Sequence, residues 1–469
     1  MMSSSLKFGT SGLRGLAVEL EGPAARRYVT AFVAHLRATG QTGSGKLFIG
    51  RDLRPSSPQI ARDCAAAVTA AGLEAIDCGV LPTPALALAA MAEDGAAIMV
   101  TGSHIPGDRN GLKFYTPKGE ITKLDEQGIA AALGADAPDG AGVARDGVAS
   151  ALELYEARYR GLLAADALSG WRIGVFEHSS VARELLVAVL AQTGADVVRL
   201  GRSDSFVAVD TEVPTDAVYA PVAGWIRDEH LDAVVSTDGD ADRPLVIDAD
   251  GSFVRGDVLG LITARWLGAD VVVTPVTSNS AIEDVGLFRD VLRTRVGSPY
   301  VIAGMETAAA EGPVVGFEAN GGVLLGSAAR IGAKGLSALP TRDALLPILA
   351  VLASAQAEGR SIAELVGTLP VRAALSDRLA EVPQQKSAAF LARLRDEAGF
   401  AEGFFAPVGE IAQRSDIDGL RFALVSGDTV HYRPSGNAPE MRCYVEGVTP
   451  ERAAELMAWG LESAAAQVR

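Results

Sequence analysis

One pattern recurs three times along the chain and limits what it can fold into. An apolar run at residues 46–50 is followed by a helix-like stretch at 60–71, then Gly72, then a second apolar run at 75–78. The same order returns at 171–175, 181–193, Gly194 and 197–200, and more weakly at 271–274, 280–288 and 291–294. Short, uniformly apolar runs read as strands covered on both faces, and Gly after a helix supplies the left-handed residue that ends it. Three such units at similar spacing predict three related α/β domains. From about residue 369 helical patterning gives way to new strands and a closing helix at 450–468, which predicts a smaller α+β domain. The Gly-, Ala- and Asp-rich stretch 134–147 reads as a surface connection before a helix at 149–163. The expected domains are therefore 1–148, 149–256, 257–372 and 373–469.

Length agrees, since 469 residues accommodate several domains of ordinary size. A net charge of −16 argues against nucleic acid as a partner. No long uncharged apolar stretch predicts a membrane span, and the first fifteen residues hold no apolar segment of the secretory kind, so a cytoplasmic protein is expected. Cys64, Cys78 and Cys443 form no CxxC pair and are odd in number, against both a disulfide framework and a zinc site. An acidic chain can still bind phosphates where it concentrates Arg and Lys locally.

The strongest chemical signal is Asp238-Gly239-Asp240-Ala241-Asp242, directly after the apolar run 233–235. Carboxylates at i, i+2 and i+4 on a tight turn can converge on one hard divalent cation. Arg243 adds a fixed cation, a combination suited to phosphoryl groups. A calcium loop of the EF-hand type is excluded, because Arg243 and Ala249 stand where Gly and Glu are needed. A solvated Asp-rich turn is the alternative.

Thr101-Gly102-Ser103-His104-Ile105-Pro106 follows the strand-like run 96–100 and places a serine in a loop expected to be exposed. It fits neither the hydrolase elbow nor S-x-x-K. Lys113, in Asn110-Gly111-Leu112-Lys113, suits a general acid or base if its pKa is lowered, or is an ordinary surface lysine. Residues 316–322, with Glu318 and Asn320 on a Gly-rich turn, suit hydrogen bonding to vicinal sugar hydroxyls or form a plain polar hairpin. Arg433-Pro434-Ser435-Gly436-Asn437-Ala438-Pro439, with Arg442 beyond it, suits a phosphate grip. Residues 9–15 form another Gly-Ser-Arg loop, carrying Arg14, that matches neither Walker A nor GxGxxG.

In this order and spacing the loops resemble those of the α-D-phosphohexomutase family over the whole chain. The resemblance implies an α/β protein of four domains around a central cleft, the first three alike with mixed sheets and the fourth a smaller α+β domain. It implies that Ser103 carries a phosphoryl group and that Asp238, Asp240 and Asp242, with the serine phosphate, hold Mg²⁺. Arg14, His104, Lys113 and Arg243 would line the reaction centre. Glu318 and Asn320 would read sugar hydroxyls, Gly297 and Ser298 would form a further substrate loop, and Arg433, Ser435, Gly436, Asn437 and Arg442 would hold the non-reacting phosphate.

The implied activity interconverts hexose 1-phosphates and 6-phosphates through a 1,6-bisphosphate, which also serves as activator. The phosphomannomutase branch, with phosphoglucomutase activity besides, is the nearest fit. A mutase for glucosamine phosphates and a metal-dependent sugar phosphatase are the alternatives. Partners would be small sugar phosphates, with no nucleic acid or membrane, and a monomer or homodimer. The chain departs from the family's commonest pattern at Ile105, Asn320, Gly322 and Asn437-Ala438, which bears on sugar choice more than on chemistry.

Overall fold

The computed structural model describes residues 4–9, 12–134, 142–212, 217–435 and 439–468. They fall into two compact units, Met1–Val272 with Gly297–Val366, and Val273–Val296 with Gly367–Arg469.

The first unit opens with a mixed sheet of eight strands. Lys46–Arg51 lies parallel to both Glu74–Val80 and Ala96–Val100. Ala96–Val100 pairs antiparallel with Arg109–Thr116, which pairs in turn with Leu13–Leu16. Val29, Phe32 and Leu36 of the helix Pro23–Ala38 share one core with Ile60, Cys64 and Val68 of Ser57–Ala70 and with Leu47, Ile49 and Ile98 of the strands. The helix expected at 60–71 begins three residues earlier, because Pro58 is well placed in a first turn, and it ends before Gly72 at φ +76°.

The second repeat folds as read. Arg172–His178 is flanked in parallel by Asp196–Arg202 and Ala233–Thr237, and Pro244–Asp248 runs antiparallel to the latter. Thr237 and Pro244 face each other in register, so residues 238–243 are thrown out as a loop at a sheet end. The helix expected at 149–163 is Val148–Tyr159. Farther on in this unit, Val314–Phe317, Val323–Leu325 and Leu339–Asp343 pair consecutively and antiparallel.

In the second unit Ala373–Leu379, Met441–Gly447, Thr429–Pro434, Leu420–Leu424 and Ile411–Ser415 form an antiparallel sheet in that order. The helices Gln384–Asp396 and Pro450–Val468 contribute Phe390 and Leu456 to a core with Phe422 and Tyr432. This is the α+β arrangement expected of the C-terminal part. The third repeat is reduced: only Ala281–Asp284 is helical, and Gly286 at φ +63° follows it before the strand Asp290–Thr294. All three cysteines are buried and free. No helix among the described residues is long and apolar enough to cross a membrane.

Candidate active site

The strand Ala96–Val100 delivers a loop in which Ser103 takes φ +54°. That left-handed conformation costs a residue with a Cβ about 1–2 kcal/mol. A buried ion pair holds it. Arg54 donates to the carbonyls of Ser103, Ile105, Pro106 and Arg109 at 2.8, 2.6, 2.6 and 2.9 Å. Its Nε donates to Asp52 at 3.1 Å, and Asp52 also accepts from Thr101 Oγ1 at 2.7 Å and Ser57 Oγ at 2.6 Å. Gly102 is required here, because a Cβ would lie 2.6 Å from Arg54 Cζ. Ser103 is not exposed as its loop setting suggested. It is 1% accessible, with Oγ donating to Asp238 Oδ2 at 2.5 Å, because the aspartate loop packs over it.

Asp238, Asp240 and Asp242 are buried and present oxygens all within 4.8 Å of one another. Ala241 turns the loop at φ +60°, and Asp238 Oδ1 accepts the backbone N–H groups of Asp242 and Arg243, both at 3.2 Å. Asp240 Oδ2 accepts from Thr83 Oγ1 and from Lys113 Nζ, and Asp242 Oδ2 accepts from Lys113 and from Arg342. The opposite oxygens, Asp240 Oδ1 and Asp242 Oδ1, are buried with no hydrogen-bond partner. Orphaned buried carboxylate oxygens are costly, and a hard oxygen donor set of this kind fits a divalent cation.

Electrostatics within the loop are uneven. Burial, then Asp240 and Asp242, push the Asp238 carboxyl well above its ordinary value. Burial acts the same way on Asp242, but Arg342, Lys113 and Arg243 outweigh it and hold that carboxyl low. Burial alone would depress Lys113, yet Asp240 and Asp242 raise it above an ordinary lysine. Lys113 is thus a buried, fixed cation, and neither the surface lysine nor the lowered-pKa acid–base group considered from sequence. His104 is pushed down to about 2 by burial and then by Arg243 and Arg14, so its imidazole is neutral beside Ser103, Nδ1 to Oγ 3.3 Å. Arg14, opposite Gly111 in the sheet, falls to about 10 through burial and then Arg243 and Arg342, and stays charged. Arg243 is braced by Glu212 at 2.8 Å.

The remaining candidates of the first unit sit close by. Glu318 is buried and accepts from Arg342 Nη1 at 2.9 Å. Asn320 caps its own turn, Oδ1 accepting from Gly322 N at 3.1 Å. Gly297, at φ +130°, precedes the helix Ser298–Thr307. Ser298 Oγ donates to Glu120 at 2.6 Å, and Glu120 also accepts from Thr341 Oγ1 at 2.9 Å. In the second unit Arg433 and Arg442 face each other in register, and Arg433 donates to Asp418 at 2.8 Å. Ser435 donates its N–H to the carbonyl of Glu440 at 2.9 Å. Gly436 and Asn437 lie outside the described residues.

Sequence reasoning missed Arg54 with Asp52, Thr83, Glu120 and Arg342. Two of these left a trace: Arg51-Asp52-Leu53-Arg54 ends a buried strand, and Thr341-Arg342-Asp343 interrupts an apolar stretch with charge. Thr83 and Glu120 are legible only in three dimensions.

A serine hydroxyl on a carboxylate cluster able to hold a metal ion, ringed by fixed cations, is suited to neutralising charge on a transferring phosphoryl group. Fold and site together therefore define a phosphoryl-transfer enzyme. The chain matches the alpha/beta/alpha domains I, II and III of phosphoglucomutase/phosphomannomutase over residues 5–140, 155–251 and 255–372, and the C-terminal domain over 371–459. It is 48% identical to a phosphomannomutase of Sinorhizobium fredii over 97% of this chain and 98% of the relative. It is 41% identical to a phosphomannomutase of Salmonella muenchen over 97% and 94%. A phosphoglucomutase/phosphomannomutase family protein of Burkholderia thailandensis shares the fold at a TM-score of 0.80 and 21% identity, covering 100% of this chain and 98% of that one. The chain belongs to the phosphoglucomutase/phosphomannomutase family and is a mutase, an isomerase by class.

Proposed function

We propose that this mutase interconverts mannose 1-phosphate and mannose 6-phosphate, and handles the glucose phosphates as well. Mannose is favoured by the relatives at 48% and 41% identity, both phosphomannomutases, whereas phosphoglucosamine mutases stand at 28–29%. Phosphorylated Ser103 donates to the free hydroxyl of the sugar monophosphate. The hydroxyl oxygen bonds to phosphorus, the seryl O–P bond breaks, and the proton of the hydroxyl is released. The 1,6-bisphosphate then returns its other phosphoryl group to Ser103. The observation that carries this reading is the 2.5 Å contact of Ser103 Oγ with Asp238, inside a cluster of three buried carboxylates.

Asp238, Asp240 and Asp242 would hold Mg²⁺, which when bound draws charge from the phosphoryl oxygens. Lys113, Arg243 and Arg14 supply fixed positive charge around Ser103. Neutral His104 orients the hydroxyl. Glu318 and Asn320 read sugar hydroxyls, with Gly297 and Ser298 shaping the loop beside them. Arg433, Ser435, Gly436, Asn437 and Arg442 take the non-reacting phosphate. A hexose 1,6-bisphosphate primes the enzyme, because an unphosphorylated Ser103 has nothing to donate.

The test is turnover of mannose 1-phosphate and glucose 1-phosphate in parallel, with Mg²⁺ and the matching 1,6-bisphosphate, while free phosphate is followed. Formation of 6-phosphates with a higher kcat/KM for mannose is expected. Phosphate release without 6-phosphate would refute the mutase cycle and leave a sugar phosphatase. Silence with both sugars, and turnover of glucosamine 1-phosphate instead, would refute the sugar assignment.

A further inference from the structure

Arg342 is 2% accessible and lies in the strand Leu339–Asp343. One guanidinium serves two loops. Nε and Nη2 donate to Asp242 Oδ2 at 3.1 and 2.8 Å, while Nη1 donates to Glu318 Oε2 at 2.9 Å. On each carboxylate only one oxygen is taken. Asp242 Oδ1 is left without a hydrogen-bond partner, and Glu318 Oε2 takes the contacts of both Arg342 and Asn320. A planar fork fixes direction as well as charge, so Arg342 sets the orientation of each carboxylate it holds.

The surroundings hold Arg342 in this place. The next residue, Asp343, accepts from the hydroxyls of Tyr155 and Tyr159 and caps Leu345 N at 2.9 Å. Across from it, the sugar loop has given up a side chain. A Cβ on Gly322 would lie 2.7 Å from Arg342 Cδ, 2.8 Å from its Cβ and 2.6 Å from the carbonyl of Asp242. A side chain at position 322 would meet both the stem of Arg342 and the backbone of the aspartate loop.

We infer that Arg342 is a positioning residue that couples the metal-binding loop to the sugar-reading loop. It directs the free oxygen of Asp242 toward the cation and the free oxygen of Glu318 toward a substrate hydroxyl. Because it acts through Asp242 and Glu318, it is distinct from the residues assigned to the reacting phosphoryl group. The inference rests on the function proposed above.

The test compares Arg342→Met, Arg342→Lys, Glu318→Gln and the double variant Arg342→Met/Glu318→Gln with the parent. Arg342→Met is expected to lower kcat/KM at least 100-fold, with both a higher KM and a lower kcat. The double variant is expected to be no more than threefold worse than Arg342→Met alone, because both changes cut one coupling. Arg342→Lys, which keeps the charge but has no fork, is expected to lose at least tenfold. Mn²⁺ binding, followed by the electron paramagnetic resonance of the free ion, gives a readout independent of turnover. Arg342→Lys, which leaves the charge in place but releases the orientation of Asp242, is expected to bind Mn²⁺ at least threefold more weakly. A folded Arg342→Met within threefold of the parent in kcat/KM, additive losses in the double variant, or parental or tighter Mn²⁺ binding by Arg342→Lys would each overturn the inference. If Arg342→Met does not fold, Arg342→Lys decides: a tenfold loss supports the coupling and parental kcat/KM refutes it. A parent that forms no hexose 6-phosphate refutes the proposed function instead, and the Mn²⁺ comparison still tests the coupling.

Discussion

Arg54→Met removes the guanidinium that holds the serine loop while keeping most of the side chain's length. The change leaves the carbonyls of Ser103, Ile105, Pro106 and Arg109 without their donor. It also leaves Asp52, 1% accessible, without its counter-charge. Breaking a buried pair by removing one partner costs about 3–5 kcal/mol. A drop of that size should speed hydrogen exchange of the peptide covering the Ser103 loop by roughly 10² to 10³-fold or more. Ser103 then relaxes from φ +54°, and a shift of about 1 Å in a reacting group costs roughly 100-fold in rate. The expected result is a kcat about 100-fold lower with KM nearly unchanged. Asp52→Asn/Arg54→Met, which removes both charges, should regain part of the stability but none of the rate. Parental exchange in this loop together with parental kcat in Arg54→Met would refute the claim that the ion pair sets the serine's geometry.

Ser103→Ala is expected to abolish turnover with no loss of thermal stability; measurable bisphosphate-dependent interconversion would remove Ser103 as carrier. Gly102→Ala should lower both stability and kcat, since its Cβ meets Arg54 at 2.6 Å, and a variant with the parent's Tm and kcat would contradict that packing. Arg433→Ala should raise KM for sugar phosphate by about 10- to 100-fold with a smaller effect on kcat, the value of a charge-assisted hydrogen bond of about 1.5–3 kcal/mol; an unchanged KM would count against a phosphate site there. Divalent-cation affinity should rise with pH. Asp238 holds its proton well above the ordinary carboxylate range and must release it to become a ligand, so binding liberates protons below that pKa and ceases to do so above it. Calorimetry in buffers of different ionisation enthalpy would count them, and pH-independent binding would refute the assignment of that proton to Asp238.

Much of this molecule was legible in one dimension. The strand–helix–Gly–strand order at 46–78 and 171–200 became parallel βα units, because covered strands must be uniformly apolar and Gly72 and Gly194 take positive φ. The convergence of Asp238, Asp240 and Asp242 was equally plain, since carboxylates so close in sequence on a tight turn come together locally. The third repeat, weaker in the sequence, is also the least regular in the fold, with one helical turn at Ala281–Asp284 before Gly286.

What only the tertiary structure decided is the charge state and orientation of these groups. Lys113 has no signature in Asn110-Gly111-Leu112-Lys113 until Asp240 and Asp242, far along the chain, close on it and keep it charged despite burial. Ser103 is in a loop by sequence and buried in the fold, because a loop from another sheet covers it. Arg54 and Arg342 stand beside charged neighbours in sequence, and only the fold makes each a buried link between loops that the sequence presents separately. Ligand types spaced a few residues apart are set by local backbone geometry. The pKa, the partner and the direction of each side chain depend on charges brought within a few ångströms by folding, and no sequence pattern carries that distance.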